Sequence, residues 1–233
     1  MTHVLQLADV RKTYPARDDR MCVLAGVTLA IRPGEVVWLR GASGSGKTTL
    51  LTIAGLLAPP DSGEVRINGV AATGLSNTRI AALRGHSLGF VFQQHNLISH
   101  LTAVENIVLP ARDGKRSAEH RARSMLANLG LDHRADFPAN RLSGGERQRI
   151  AIARALINAP AVVLADEPIS GLDADSATHV LHQLSIAAGN SRGVLVASHD
   201  STVATIADRT ITLVAGRLEQ ARNTLPAAVE GTP

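Results

Sequence analysis

One stretch, GASGSGKT at residues 41–48, constrains this chain more than any other. It fits the pattern G-x-x-x-x-G-K-[ST], in which glycines let successive backbone N–H groups wrap a phosphate, the lysine reaches outer phosphate oxygens, and the final hydroxyl meets a magnesium ion. Such a loop needs a buried strand before it and a helix after it. Residues 36–39 are apolar, and residues 47–57 carry apolar side chains at helical spacing, so a strand–loop–helix unit is predicted. Lysine usage sharpens the reading. Among 24 basic residues only Lys12, Lys47 and Lys115 are lysine, yet the compact ammonium is kept where a point charge must fit between phosphates.

The rest of the chain supplies the setting. Up to about residue 68, the β-type runs VLQL, VTLAI, EVVWL and EVRIN alternate with turns, which reads as a small antiparallel sheet beside the first core strand. Between about 94 and 145 the texture changes to Ala/Arg/Leu-rich helical periodicity, as in RSAEHRARSMLANLGL, predicting an inserted helical lobe without strands. A helix over 146–158, a strand over 162–165, the run GVLVAS ending at Ser198 and a closing hairpin, TITLV with AGRLEQ, restore the core. Strands alternating with helices imply an α/β fold with a mainly parallel sheet, whose ligands gather beyond the carboxyl ends of the strands. The loops after Leu39, Ala165 and Ser198 should therefore share one edge. Residues 1–220 read as one domain and 221–233 as a fraying tail.

Composition narrows the function classes. No stretch approaches the roughly 20 consecutive apolar residues that span a bilayer, so a membrane role must come through a partner. The N-terminus carries no signal or transit pattern, which makes the cytoplasm the expected compartment. Cys22, the single cysteine, sits beside Val23 and Leu24 and is expected to be a buried thiol without a chemical role. A net charge of +4 with scattered arginines and only 2% aromatic residues argues against nucleic acid as a partner.

Two further strand ends carry chemistry. Asp166, directly after the apolar run VVLA, can hold magnesium, and its neighbour Glu167 can act as general base on an attacking water. Alone, Asp-Glu after a strand is more often a helix cap or a solvated loop; the phosphate loop makes the catalytic reading the better one. His199 follows the third strand, where an imidazole can contact the terminal phosphate and help position water.

A second Gly-rich turn feeding a helix, LSGGE at residues 142–146, has no lysine. It closely resembles the LSGGQ signature of the ATP-binding cassette (ABC) ATPases, and the resemblance runs in the right order along nearly the whole chain. It implies an ABC ATPase domain with a P-loop core, an N-terminal antiparallel β subdomain and an inserted α-helical subdomain. ATP and Mg²⁺ are the implied cofactors: Gly41, Ala42, Ser43, Gly44, Ser45, Gly46, Lys47, Thr48 and Thr49 form the phosphate loop, and Thr48, Gln93 and Asp166 hold the metal. Tyr14 resembles the aromatic that stacks on adenine, Gln93 the Q-loop glutamine, Asp173 the D-loop aspartate and His199 the switch histidine. The resemblance also explains why the second anion site is incomplete. In this family two subunits meet head to tail, so that Ser143, Gly144, Gly145 and Glu146 of one copy close over the nucleotide held by the other. The departures are Glu146 in place of the signature glutamine, Ile169 where threonine is frequent, and Arg40 before the phosphate loop.

Three functions compete. A P-loop kinase or GTPase is disfavoured by the signature and by the absence of a guanine-binding motif. A soluble ABC ATPase of repair or chromosome maintenance would place a long coiled coil or zinc module between Lys47 and Ser143, where this chain has only a short lobe and no cysteine. The expectation is therefore an ATPase subunit driving a separate membrane permease from the cytoplasmic face, with a soluble or cell-division-type ABC ATPase acting mechanically without transport as the alternative. The region GFVFQQHNLISHLTAVENIVLP, 89–110, resembles the lipoprotein-releasing and macrolide-exporting group, in which it forms a groove for the permease; Leu97, Ile98 and Leu101 read either as groove or as lobe core.

Overall fold

A computed structural model describes residues 3–15 and 20–220. The chain opens with a long antiparallel pair, β1 (Leu5–Pro15) and β2 (Arg20–Ile31), then enters the central sheet through β3 (Val36–Arg40), which turns into helix α1 (Lys47–Ala54). β4 (Ser62–Ile67) and the short β5 (Val70–Ala71) complete an antiparallel sheet of order β2-β1-β4-β5. Helix α2 (Asn77–Ser87) leads to β6 (Leu88–Val91), after which α3 (Ala103–Val108) and α4 (Lys115–Asn128) build the helical lobe. α5 (Gly144–Leu156), β7 (Val162–Asp166), α6 (Ala174–Gly189), β8 (Gly193–Ala197), β9 (Arg209–Val214) and β10 (Arg217–Gln220) follow.

The central sheet has the order β10-β9-β3-β8-β7-β6, with every pair parallel except β10–β9. β7 and β8 are apolar up to Asp166 and Ala197 because both of their faces are covered. Along β7, Val162 and Leu164 point to the cluster containing Leu50 and Leu51 of α1, while Val163 and Ala165 point to the cluster containing Leu181 and Leu184 of α6. β8 splits in the same way, Leu195 to one side and Val194 and Val196 to the other. This two-residue alternation puts a helix layer on each face, so ligands are left only the sheet's ends.

The lobe has its own core. Ile107, Leu126 and Leu131 are fully buried there together with Ile150, Ala153 and Ile157 from α5 and the residue beyond it. The i, i+3, i+7 spacing of those three gives one face to the lobe, while Ile152 and Ala155 face the central sheet. Helix α5 is thus shared between the two bodies.

Several expectations change. α1 ends at Ala54 instead of 57, because Leu56 turns left-handed at φ 57° and the N–H groups of Leu56 and Leu57 fold back onto the Ile53 and Thr52 carbonyls. β6 adds a further strand to the parallel set, beside β7. β9 pairs with β10 as predicted and also runs parallel to β3. Cys22 is exposed, not buried. A register shift between Lys12 and Thr13 pairs Thr13 with Cys22, and the hairpin end carrying Arg20, Met21 and Cys22 is solvent-facing. The tail expected to fray, 221–233, lies outside the described residues.

Candidate active site

β7, β8 and β3 lie side by side and parallel, so the segments that leave their carboxyl ends converge, as the sequence predicts. There they border a cavity of about 610 Å³. Lys47, Thr48 and Thr49 enter it from the start of α1, with Ser43, Gly44 and Gly46 from the loop, and Gln93, Asp166, Glu167 and His199 from the other strand ends. Gly46 has φ 102°, and a Cβ on it would lie 3.0 Å from the Val23 carbonyl oxygen, so this turn admits only glycine. The Lys47 ammonium is buried and donates to the carbonyls of Gly41 at 2.8 Å and Ala42 at 3.2 Å, which fixes where its charge sits. Ser45 closes the loop through its N–H to the Ala42 carbonyl, and its hydroxyl oxygen is buried without a partner among the described residues.

Thr48 Oγ1 donates to Asp166 Oδ2 at 2.8 Å. Burial pushes the Asp166 carboxyl above its ordinary value; the Thr48 hydrogen bond and the Lys47 charge oppose that push, and the neighbouring Glu167 charge adds to it. Among the described residues no three His, Cys, Asp or Glu side chains form a metal-binding group. A hydroxyl, one carboxylate and the Gln93 amide facing one cavity instead suit a hard cation that keeps waters and takes further oxygens from phosphates, the habit of Mg²⁺.

Glu167 sits at φ 45°, a left-handed turn directly after β7, with its N–H donated to the Ala197 carbonyl. Its carboxylate oxygens have different neighbours. Oε2 accepts from the Ser198 hydroxyl at 2.9 Å, while Oε1 lies 3.0 Å from His199 Nδ1 and 4.0 Å from Lys47 Nζ. Glu167 is largely covered and His199 largely exposed. Gln93 follows β6 on a turn whose His95 and Asn96 both have positive φ, and Arg154 of α5 donates to both of their carbonyls at 2.5 Å.

Tyr14 stands at the far end of the cavity, 37% exposed, paired across the β1–β2 ladder with Met21, which also lines it. Lys12 lies 5.6 Å from the ring centroid and is itself tied to Asp61 at 2.9 Å, an anchor that also takes the Thr13 N–H and hydroxyl. Met21, Val23 and Ser198 are site residues that sequence reasoning missed, since only the ladder and sheet register bring them there.

Ser143, Gly144, Gly145, Glu146 and Asp173 do not line this cavity. Ser143 caps α5 in a reciprocal box: its Oγ accepts the Glu146 N–H at 3.2 Å, and Glu146 Oε2 accepts the Ser143 N–H at 2.7 Å. The Ser143 hydroxyl also hydrogen-bonds the Glu146 carboxylate, so the cap is closed through side chain and backbone alike. Glu146 Oε1 takes Arg134 Nε at 2.9 Å; burial opposes the charge, but the Ser143 hydrogen bonds and Arg134 together hold the carboxyl below its ordinary value. Asp173 caps α6 through the Ser176 N–H and hydroxyl, both at 2.8 Å.

Residues 24–170 match the family model described as "ABC transporter". The chain belongs to the ABC transporter family. Among curated ABC proteins it is 43% identical over 223 residues to the lipoprotein-releasing system ATP-binding protein LolD 1 of Caulobacter vibrioides, covering 94% of this chain and 95% of that one. It is 45% identical to LolD of Granulibacter bethesdensis, covering 92% and 95%. It is 40% identical to the macrolide export ATP-binding/permease protein MacB of Salmonella typhimurium, but spans only 34% of that longer protein. Among solved structures, the dimeric ATP-binding cassette MJ0796 in a post-hydrolysis state with ADP and Pi superposes with a TM-score of 0.85 at 37% identity, covering 94% of this chain and 99% of that one. The ABC fold, ATP binding and ATPase activity expected from the signature are borne out. Among the described residues no helix is long and apolar enough to cross a membrane.

Proposed function

We propose that this chain drives a separate membrane permease from its cytoplasmic face by hydrolysing ATP in the cavity beyond β3, β7 and β8. Gly41 to Thr49 hold the phosphates, Lys47 neutralises their outer oxygens, and Tyr14 covers the base. Thr48, Gln93 and Asp166 hold magnesium, which when bound offsets phosphate charge. Glu167 takes the proton of the attacking water, with His199 aligning that water against the terminal phosphate.

The carrying observation is the arrangement around Glu167: a covered carboxylate with one oxygen anchored and the other beside a histidine and the phosphate-loop lysine. The signature enters in trans. Ser143 is exposed at a helix N-terminus and lies off its own cavity, which suits closure over the nucleotide of a second copy placed head to tail. ATP then joins the two copies, and loss of the terminal phosphate releases them.

The permease contact is supported by a second cavity, of about 390 Å³, between the lobe and the central sheet. Stacked Phe90 and Phe92 line it with Leu57 and Leu109, the latter two 45% and 57% exposed. Leu97, Ile98 and Leu101 do not: the Asn106 side chain ties Ile98 and Leu101 to α3, and Leu97 packs on the lobe core. The groove thus runs through residues on either side of that turn.

Glu167→Gln tests the assignment. It should retain ATP, lose steady-state turnover and accumulate an ATP-dependent dimer on size exclusion, and adding Ser143→Arg should abolish that dimer. Wild-type hydrolysis in Glu167→Gln, or a normal dimer with Ser143→Arg, contradicts it.

A further inference from the structure

Ser198 is fully buried, and each of its polar groups is committed. Its N–H donates to the Leu39 carbonyl at 3.2 Å, and its carbonyl accepts Trp38 Nε1–H at 3.0 Å. Its hydroxyl accepts the Asp200 N–H at 3.1 Å and spends its single proton on Glu167 Oε2 at 2.9 Å. The backbone of Ser198 is therefore pinned from β3 on both sides, and the hydroxyl has one direction in which to donate. Trp38, the only tryptophan of the chain, is itself buried, with the Arg40 guanidinium 4.8 Å from its ring.

We propose that Ser198 is a positioning residue for Glu167: held by β3 through Leu39 and Trp38, it anchors Oε2 so that Oε1 faces His199, Lys47 and the reacting water. This rests on Glu167 being the base. A glutamate on a left-handed turn has three side-chain torsions to fix; the Ser198 hydroxyl holds Oε2, leaving Oε1 beside His199 Nδ1 and Lys47 Nζ. Among the described residues Ser198 makes no hydrogen bond to the phosphate loop or to Asp166, so its effect should fall on turnover and not on ATP capture.

The test is steady-state and single-turnover ATP hydrolysis by the full chain carrying Ser198→Ala. Loss of a hydrogen bond to a charged group predicts a kcat lower by roughly tenfold or more with KM for ATP within about twofold. Because the serine acts through the glutamate, Ser198→Ala should slow Glu167→Gln no further. Trp38 emission reports whether the fold around residue 198 is kept, and Ser198→Cys, which keeps the volume while weakening the donor, carries the same test should the alanine variant not fold. Wild-type kcat in the variant, a parallel rise of KM, or an additive loss in the double variant overturns the inference. Full turnover by Glu167→Gln would instead remove the base assignment itself, so the two failures are separable.

Discussion

Gly145 and Ser176 leave no space between them: a Cβ on Gly145 would lie 2.6 Å from Ser176 Oγ and 3.1 Å from its Cβ. Because Ser176 is also the residue whose hydroxyl and N–H are held by Asp173, the first turns of α5 and α6 form one contact. The signature turn and the loop carrying Asp173 are thus packed directly against each other within one copy.

Gly145→Ala measures that coupling. Alanine favours the helix by about 1 kcal/mol, so any weakening comes from displacing Ser176 and breaking its hydroxyl bond to Asp173. The expected result is ATP-dependent dimerisation of the Glu167→Gln protein weakened by roughly tenfold, read by sedimentation velocity, with thermal stability changed by no more than ~1 kcal/mol. Unchanged dimer affinity would mean that α5 and α6 adjust independently.

Thr48→Ala removes the donor to Asp166 and one proposed magnesium oxygen together. The Mg²⁺ concentration for half-maximal hydrolysis should rise by roughly tenfold or more, with a smaller change in nucleotide affinity measured without metal. A Mg²⁺ titration that superposes on wild type would take Thr48 out of the metal site.

Tyr14→Ala should raise KM for ATP by roughly tenfold, since base–aromatic stacking is worth about 1–3 kcal/mol, whereas Tyr14→Phe keeps the ring and should match wild type. Fluorescent-nucleotide titration separates the two. A large defect in the phenylalanine variant would point to the hydroxyl instead of the ring face.

The unequal legibility of these features in the sequence has physical causes. The place of Lys47, Thr48, Asp166 and Glu167 around one cavity was legible because it depends on neighbours along the chain: a Gly-rich turn into a helix, and a charge directly after an apolar strand. Ser198 and Trp38 were not, because their partners come from other strands, through sheet register. Helix α2 buries no residue, so no apolar stripe announces it, and β6 is four residues long, too short for periodicity to separate it from its surroundings. Cys22 was misread because Val23 and Leu24 suggested a core position, whereas the register shift at Thr13 decides the side chain's environment.

Asp166 gives a pH-linked prediction whose sign follows from its raised pKa. Burial favours the neutral form in the folded protein, so between the ordinary aspartate value and the raised one the folded state holds more protons than the unfolded state. The Asp166 contribution to stability is thus fully present below the ordinary value and is lost as pH rises through the raised one. At neutral pH in the absence of Mg²⁺ and nucleotide, Asp166→Asn should therefore have a higher urea midpoint than wild type, because an amide can still accept from Thr48 without a buried charge. That advantage should shrink as pH falls toward the ordinary aspartate range, and saturating Mg²⁺ with ATP should reverse it by stabilising only the wild type. An Asp166→Asn midpoint at or below wild type at neutral pH, in metal-free buffer, would mean that Thr48 and Lys47 outweigh burial at this position.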